Sequence, residues 1–312
     1  MTLNSYPNDV ISFNVDSPNF DAFNRLRVSD PFTVLDLKQN RDNLPLFYDD
    51  AETSGSGTTS TYQTNKASTQ IAVAATTAGV RVRQSKMWGN YQPGKSQMVM
   101  ITFSNIESVS GVTKIAGYYW DNWGIYTKHK DGTWNVGIRT YNTGSAVDND
   151  IEQDGSTPWN IDKMDGTGPS GITLDASKTQ IFFIDFEWLG VGRVRVGFVV
   201  DGKVYYVHEF LHANVESEVY MSSPNAPIRY EIQNDGSGAA DTFDTICATI
   251  MSEGGQEETS LSNYVSRNGT SITLANEDLF TPIISIRLKS AQRCTRVVAE
   301  SIAIILTSAD NS

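Results

Sequence analysis

Cysteine is scarce in this chain: Cys247 and Cys294 are the only two in 312 residues. Two cysteines provide neither a disulfide framework nor a metal-ligand spacing, which fits folding in a reducing cytoplasm. No run of about eighteen apolar residues occurs, so no membrane-spanning segment is expected. The opening MTLNSYPNDV is polar and lacks the apolar stretch of a signal peptide. Positive charge is in deficit: the formal net charge is −12, which leaves no electrostatic footprint for nucleic acid. The local exception is the basic run Arg287 to Arg296. It reads either as a solvated strand face or as a contact with an acidic neighbour such as a second copy. Helical periodicity over about twelve residues is missing. So are the phosphate loop, G-x-S-x-G, C-x-x-C and the dinucleotide fingerprint. Asn268-Gly269-Thr270 matches a glycosylation sequon but reads as a turn.

What is present is strand-like. Short runs rich in Val, Ile, Tyr, Phe and Thr alternate with turn signals from about Ser68 onward. Strands are expected over Thr69–Ala74, Val80–Trp88, Gln97–Ser104, Lys114–Asp121, Gly124–Lys128, Trp134–Tyr141, Gln180–Leu189, Arg193–Val200, Lys203–Leu211, Pro227–Gln233, Phe243–Ser252, Ile283–Lys289 and Arg296–Leu306. Asp131-Gly132 and Asp201-Gly202 each supply the positive φ of a type I′ hairpin turn. Asn142 to Asp175, rich in Asp, Gly, Ser and Pro, reads as a long surface excursion with Trp159 and Met164 as lone apolar residues. Many antiparallel strands with few helices predict an all-β fold, an antiparallel β-sandwich of the jelly-roll kind, over residues 66–312.

Residues 1–65 differ in texture. Asp21 to Asp50 mixes charges of both signs with isolated aromatics, prolines and amides, and Thr53 to Ser60, TSGSGTTS, has the composition of a flexible connector. Such a segment builds no core alone, so it is expected to be an extended N-terminal arm that becomes ordered on another surface. Its candidate anchors are Phe20, Phe23, Leu26, Val28, Phe32, Leu35, Leu44, Leu46, Phe47 and Tyr48, with Arg25 and Arg27 making charge-assisted contacts to carboxylates or carbonyls.

F-x-R-L-R-V-S-x-P-F at Phe23 to Phe32, D-N-L-P-L-F-Y at Asp42 to Tyr48 and N-Y-Q-P-G-K-S-Q at Asn90 to Gln97 resemble a family of tailed-phage virion structural proteins. The resemblance continues more weakly to I-S-I-R-L-K at Ile284 to Lys289. It implies a concanavalin- or laminin-G-like sandwich and a place in a virion, as a capsid decoration, fibre or tail-associated protein made in the host cytoplasm. The implied partners are other virion proteins and further copies of the chain, with a trimer as the implied homo-oligomer.

Four patterns could carry chemistry. His208-Glu209-Phe210-Leu211-His212 satisfies H-E-x-x-H. That zinc chemistry needs a helix, where the two histidines rise about 6 Å on one face. At a strand end they stand about 13 Å apart, so no metal is expected there. Asp148, Asp150, Glu152 and Asp154, followed by Gly155, resemble a calcium loop, but Ile161 stands where the closing Glu is required. Trp123 and Trp159 fall nearest to loops and are the candidate glycan-stacking residues. Asp185 and Glu187 alternate on one strand face, about 7 Å apart, a spacing shared by glycosidase pairs and by any polar strand face. The leading expectation is a non-enzymatic virion component without a cofactor. The alternatives are a lectin-like module that binds cell-surface glycan and a hydrolase acting at the cell surface.

Overall fold

The computed structural model describes residues 17–256, the pairs Asn4–Ser5 and Ile11–Ser12, and short stretches between 264 and 303. The chain divides into two units, Met1–Gln256 and Glu257–Ser312. In the second unit, residues 283–286, 297, 299 and 301–303 belong to two of the expected strands and carry no regular structure. The other positions of those strands, the sequon asparagine and the basic run 287–296 lie outside the described residues.

The first unit is built of short strands. They are β1 (Asn4–Ser5), β2 (Ile11–Ser12), β3 (Pro31–Lys38), β4 (Tyr48–Gly55), β5 (Thr58–Gln63), β6 (Ser68–Val73), β7 (Gly79–Trp88), β8 (Gln97–Ser104), β9 (Val112–Tyr119), β10 (Gly124–Lys130), β11 (Thr133–Thr140), β12 (Val147–Glu152), β13 (Gln180–Phe186), β14 (Val194–Val200), β15 (Lys203–Phe210), β16 (Pro227–Asn234) and β17 (Asp241–Glu253). One 3-10 turn, Thr64–Lys66, interrupts them. A seven-stranded antiparallel sheet runs β12-β11-β10-β9-β16-β7-β4. An eight-stranded sheet runs β15-β14-β13-β8-β17-β6-β5, with β3 also paired to β17. The long β17 makes this possible: its first half pairs with β6 and its second half with β3 along the same edge.

The two sheets face each other as a jelly-roll sandwich because alternate residues of each strand are apolar. Ile125, Val136, Tyr118 and Tyr230 from one sheet meet Val99, Ile184, Phe186 and Phe243 from the other in a single buried cluster. Rings close the gap between the sheets: Tyr118 lies 5.5 Å from Phe186, Trp134 5.3 Å from Phe198 and Tyr230 6.1 Å from Phe243. The Tyr230 hydroxyl donates across the core to the Cys247 carbonyl, so its polar end is not stranded. Both expected hairpins form. Asp131 and Gly132 have φ of 50° and 80°, and Asp201 and Gly202 have 50° and 75°.

The sequence reading of residues 1–65 needs correction. Residues 31–63 are not an arm outside the sandwich; they supply β3, β4 and β5 to its two sheets. The Gly-rich stretch is no free connector but a turn that carries the chain from β4 in one sheet to β5 in the other. Gly55 is required there: its φ is +68°, and a Cβ would fall 2.1 Å from the Ala78 carbonyl oxygen. β4 and β5 are too polar to announce themselves, since they sit at sheet edges with one face in water. The excursion from Asn142 to Asp175 is corrected likewise. It contains the edge strand β12, and Trp159, Met164 and Leu174 turn inward into the core.

Candidate functional site

Residues 17–30 cross the outer face of the eight-stranded sheet. Asp21 shapes this segment locally. Its Oδ1 accepts from the Phe23 and Arg25 amides at 2.9 and 2.8 Å, and its Oδ2 pairs with Arg25 Nε. Asn24 takes a left-handed φ of 61°, and Phe20 bridges to Leu26, closing a small loop. The loop presents Arg25 and Arg27 to the sheet. On β13 the core takes Ile184 and Phe186, so Asp185 and the following Glu187 point the other way. Arg25 Nη2 reaches Glu187 at 2.6 Å, and Arg27 reaches Asp185 and Glu253, each at 2.7 Å. The sheet reaches back: Arg193 donates to the Ala22 carbonyl and to Asn24 Oδ1, and Arg195 to the Phe20 carbonyl. Asp185 is the hub, holding Arg195 as well and accepting from Ser96 Oγ and the Tyr206 hydroxyl.

Four carboxylates (Asp21, Asp185, Glu187, Glu253), all largely buried, thus share three guanidinium groups, of which Arg195 and Arg27 are buried or nearly so and Arg25 is half exposed. Burial pushes the Glu187 carboxyl up to about 7; Arg25 opposes this, and the neighbouring carboxylates add to it. Burial also raises Glu253, although Arg27 opposes it. The spacing two apart of Arg25 and Arg27 matches that of Asp185 and Glu187, a signal readable in the sequence only once the two segments are known to cross. The reading there missed Asp21, Glu253, Arg193 and Arg195. It also looked outside the chain for the arginines' partners, whereas these carboxylates belong to the same chain.

The apolar anchor candidates divide in two. Leu35 and Tyr48 are buried in the sandwich, Leu44 packs against its core and Phe20 is half-buried. Phe23, Leu26, Val28, Phe32, Leu46 and Phe47 stay exposed, Val28 at 85% and Leu46 at 82%.

An open groove of about 590 Å³ lies on the outer face of the seven-stranded sheet at its β10–β12 end. Its lining includes Lys128, Lys130, Thr133, Asn135, Asp150 and Glu152 and holds no aromatic ring. The acidic run that resembled a calcium loop is here, with Asp148, Asp150 and Glu152 on strand β12. Asp148 accepts two hydrogen bonds from Arg139, which outweigh burial and hold its carboxyl below the usual range. Asp150 accepts from Tyr126 and Lys128, and Asp154 pairs with Lys163. Among the described residues, no three His, Cys, Asp or Glu side chains are grouped to hold a metal ion. The acidic residues of β12 are spent instead on pairing an edge strand with cations of the same sheet.

The two tryptophans do not form a stacking platform. Trp123 is buried and donates to the Asn225 carbonyl; Trp159 is buried, donates to the Ile151 carbonyl and stacks on Phe198. The aromatic content that resembled a sugar site is core packing, because loops fold inward over the sheet ends. His208 ends up on β15, and its ring meets Phe210 at 4.5 Å, which in turn stacks on His212 at 6.5 Å. His208 Nδ1 accepts from the Asn160 amide. Burial depresses His208 and His129 to about 4 each, Lys114 adding to the effect at His129. Both imidazoles are therefore expected to stay neutral down to about pH 5, where an ordinary histidine is charged. Each stabilises the fold fully above the unfolded pKa near 6.5, and that stability is lost as pH falls through about 4. Imidazole proton shifts followed by NMR check this: titration of either ring above pH 6 would contradict it.

No family model and no curated protein matches the chain. Solved structures that resemble it include the CBM2 module of an evolved Dit from Lactobacillus casei BL23 phage J-1. That match has 8% identity, covers 73% of this chain and 99% of that one, and has a TM-score of 0.45. A protein of unknown function from Shewanella oneidensis MR-1 has 11% identity over 76% and 92% of the two chains, with a TM-score of 0.43. The carbohydrate recognition domain of Emp47p has 13% identity over 73% and 100%, with a TM-score of 0.40. At such identities and scores the likeness is one of β-sandwich architecture alone.

Proposed function

We propose that this chain is a non-enzymatic structural component of a phage particle, held there by apolar side chains of residues 23–47. The observation that carries the reading is the exposure of Phe23, Leu26, Val28, Phe32, Leu46 and Phe47 in a segment that is tied to the sandwich by ion pairs and strand pairing. The motifs in that segment that resemble virion structural proteins support it. Scattered exposed apolar residues are ordinary, but six large ones within 25 positions are a concentration that a neighbouring surface can cover with gain. Burying one fully against a neighbour is worth roughly 1.5–3 kcal/mol, and repetition in an oligomer slows loss from the particle further.

The combined substitution Leu26→Ser, Val28→Ser, Leu46→Ser and Phe47→Ser tests this. The variant is expected to keep its β-sheet circular dichroism and its cooperative melt, since surface changes cost about 0.5 kcal/mol or less each. Copies per particle, counted by quantitative mass spectrometry of purified virions, are expected to fall at least about tenfold, the equivalent of a single lost anchor. Normal copy number would end the reading. A second reading rests on the polar groove at β10–β12, which offers both donors and acceptors and so suits a hydroxylated ligand such as a cell-surface glycan.

A further inference from the structure

Residues 17–30 bury little apolar side chain, Ala22 and part of Phe20, and are held on the sheet chiefly by polar contacts. These include the Arg25 and Arg27 pairs with Glu187, Asp185 and Glu253, the donations from Arg193 and Arg195, Arg25 Nη1 to the Gly94 carbonyl and the Gly254 amide to the Asp30 carbonyl. The large apolar side chains Phe23, Leu26 and Val28 do not take part, being 40%, 58% and 85% exposed. Only from Pro31 does the chain enter a continuous ladder, where β3 pairs with β17. An ion-pair attachment and a ladder attachment therefore meet at residues 30 and 31.

We propose that residues 17–30 are a clasp that opens and closes on the outer face of the eight-stranded sheet while the sandwich stays folded, with Arg25 and Arg27 as its catch. Opening leaves the sandwich intact because Asp185 keeps Arg195, Ser96 and Tyr206, all from the sheet or its connections. What opening releases is Glu187 and Glu253, which then face water instead of the clasp.

The same geometry makes the clasp sensitive to pH. Glu187 is faced by Arg25 and Asp21 from the clasp, by Asp185 on its own strand, by Glu253 at the end of β17, and by Tyr91. Of these only Arg25 is a cation. With the clasp closed, burial and the surrounding carboxylates hold the Glu187 proton up to about pH 7. With it open, the group returns toward the ordinary carboxyl range near 4.3. The closed form thus binds the extra proton between these two values. Closure is favoured at the acid end of that window and weakens as pH rises through 7. Glu253, also raised, acts in the same direction. The clasp is therefore tighter at pH 5 than at pH 8, the reverse of a simple carboxylate–arginine bridge.

Hydrogen exchange by mass spectrometry on the full chain tests this, with rates corrected for the intrinsic pH dependence. Amides of 18–30 are expected to exchange independently of β13 and β14 and to lose about tenfold or more in protection between pH 5 and pH 8. In the double variant Glu187→Gln, Glu253→Gln the loss is expected to vanish, because the amides mimic the protonated carboxyls. Arg27→Met is expected to lower protection of 18–30 at pH 5 by about tenfold or more while leaving β13 and β14 unchanged. Protection of 18–30 that falls only together with β13 and β14, in the wild type or in Arg27→Met, overturns the proposal. So does a wild-type profile that is flat with pH, or one that the double variant retains.

Discussion

Removal of residues 31–63 is expected to abolish the cooperative melt of the sandwich rather than to release a folded body. The deletion takes away β3, β4 and β5, which cover one edge each of β17, β7 and β6. It removes the buried side chains of Leu35, Leu37 and Tyr48 from the core. Emptying one such site costs roughly 2–5 kcal/mol, and a whole domain holds only about 5–15 kcal/mol. It also strands Arg83, 1% exposed, whose partners are Asp50, the Gln39 side chain, the Asn43 carbonyl and the Tyr48 ring. Every one of those partners lies in the deleted stretch, so the deletion removes all the groups that let this guanidinium sit inside the sandwich. Differential scanning calorimetry of the truncated protein should show no single sharp transition. A truncated protein that melts cooperatively within a few degrees of the full chain would mean that residues 31–63 are an appendage after all.

The second large effect is expected at Asp185. This carboxylate is fully buried and is shared by Arg195, itself fully buried, and Arg27. Asp185→Ala takes the carboxylate from buried Arg195, leaves Arg27 with Glu253 alone and removes the acceptor of Ser96 and Tyr206. Breaking a buried pair by deleting one partner typically costs about 3–5 kcal/mol. Asp185→Asn keeps an acceptor of the same shape and should fall between the variant and the wild type. Urea unfolding midpoints at pH 7 measure both. A loss below about 1 kcal/mol for Asp185→Ala would show that water or backbone movement resolves the charges, and that the cluster is less closed than its geometry indicates.

The two predictions locate the limits of reading this chain as a string. The strands of the body were legible because they carry the period of a half-buried β-strand and end in turn chemistry: the Asp-Gly hairpins at 131 and 201 formed with both φ values positive. The strand setting of His208 was legible for the same reason, since it continues from one of those hairpins. β4 and β12 were not legible. YDDAETSG and VDNDIE are mostly polar, with only Tyr48 and Ala51 apolar in the first and Val147 and Ile151 in the second, and they become strands because β7 and β11 offer unpaired edges to them. Trp123 and Trp159 misled in the opposite direction, because local sequence places them near loops while burial depends on where those loops fold.

Composition and periodicity by themselves determined an all-β chain, its principal strands and hairpins and an acidic surface. Those properties are set by contacts between residues close in sequence, or by sums over the whole chain. Only the tertiary structure decided that residues 31–63 belong to the sandwich and that Arg25 and Arg27 close on Glu187, Asp185 and Glu253. Arg25 and Glu187 are separated by 162 positions. A charge pair across such a distance leaves no periodic trace, because either residue alone is equally content in water, and only folding brings half-exposed Arg25 against a buried Glu187.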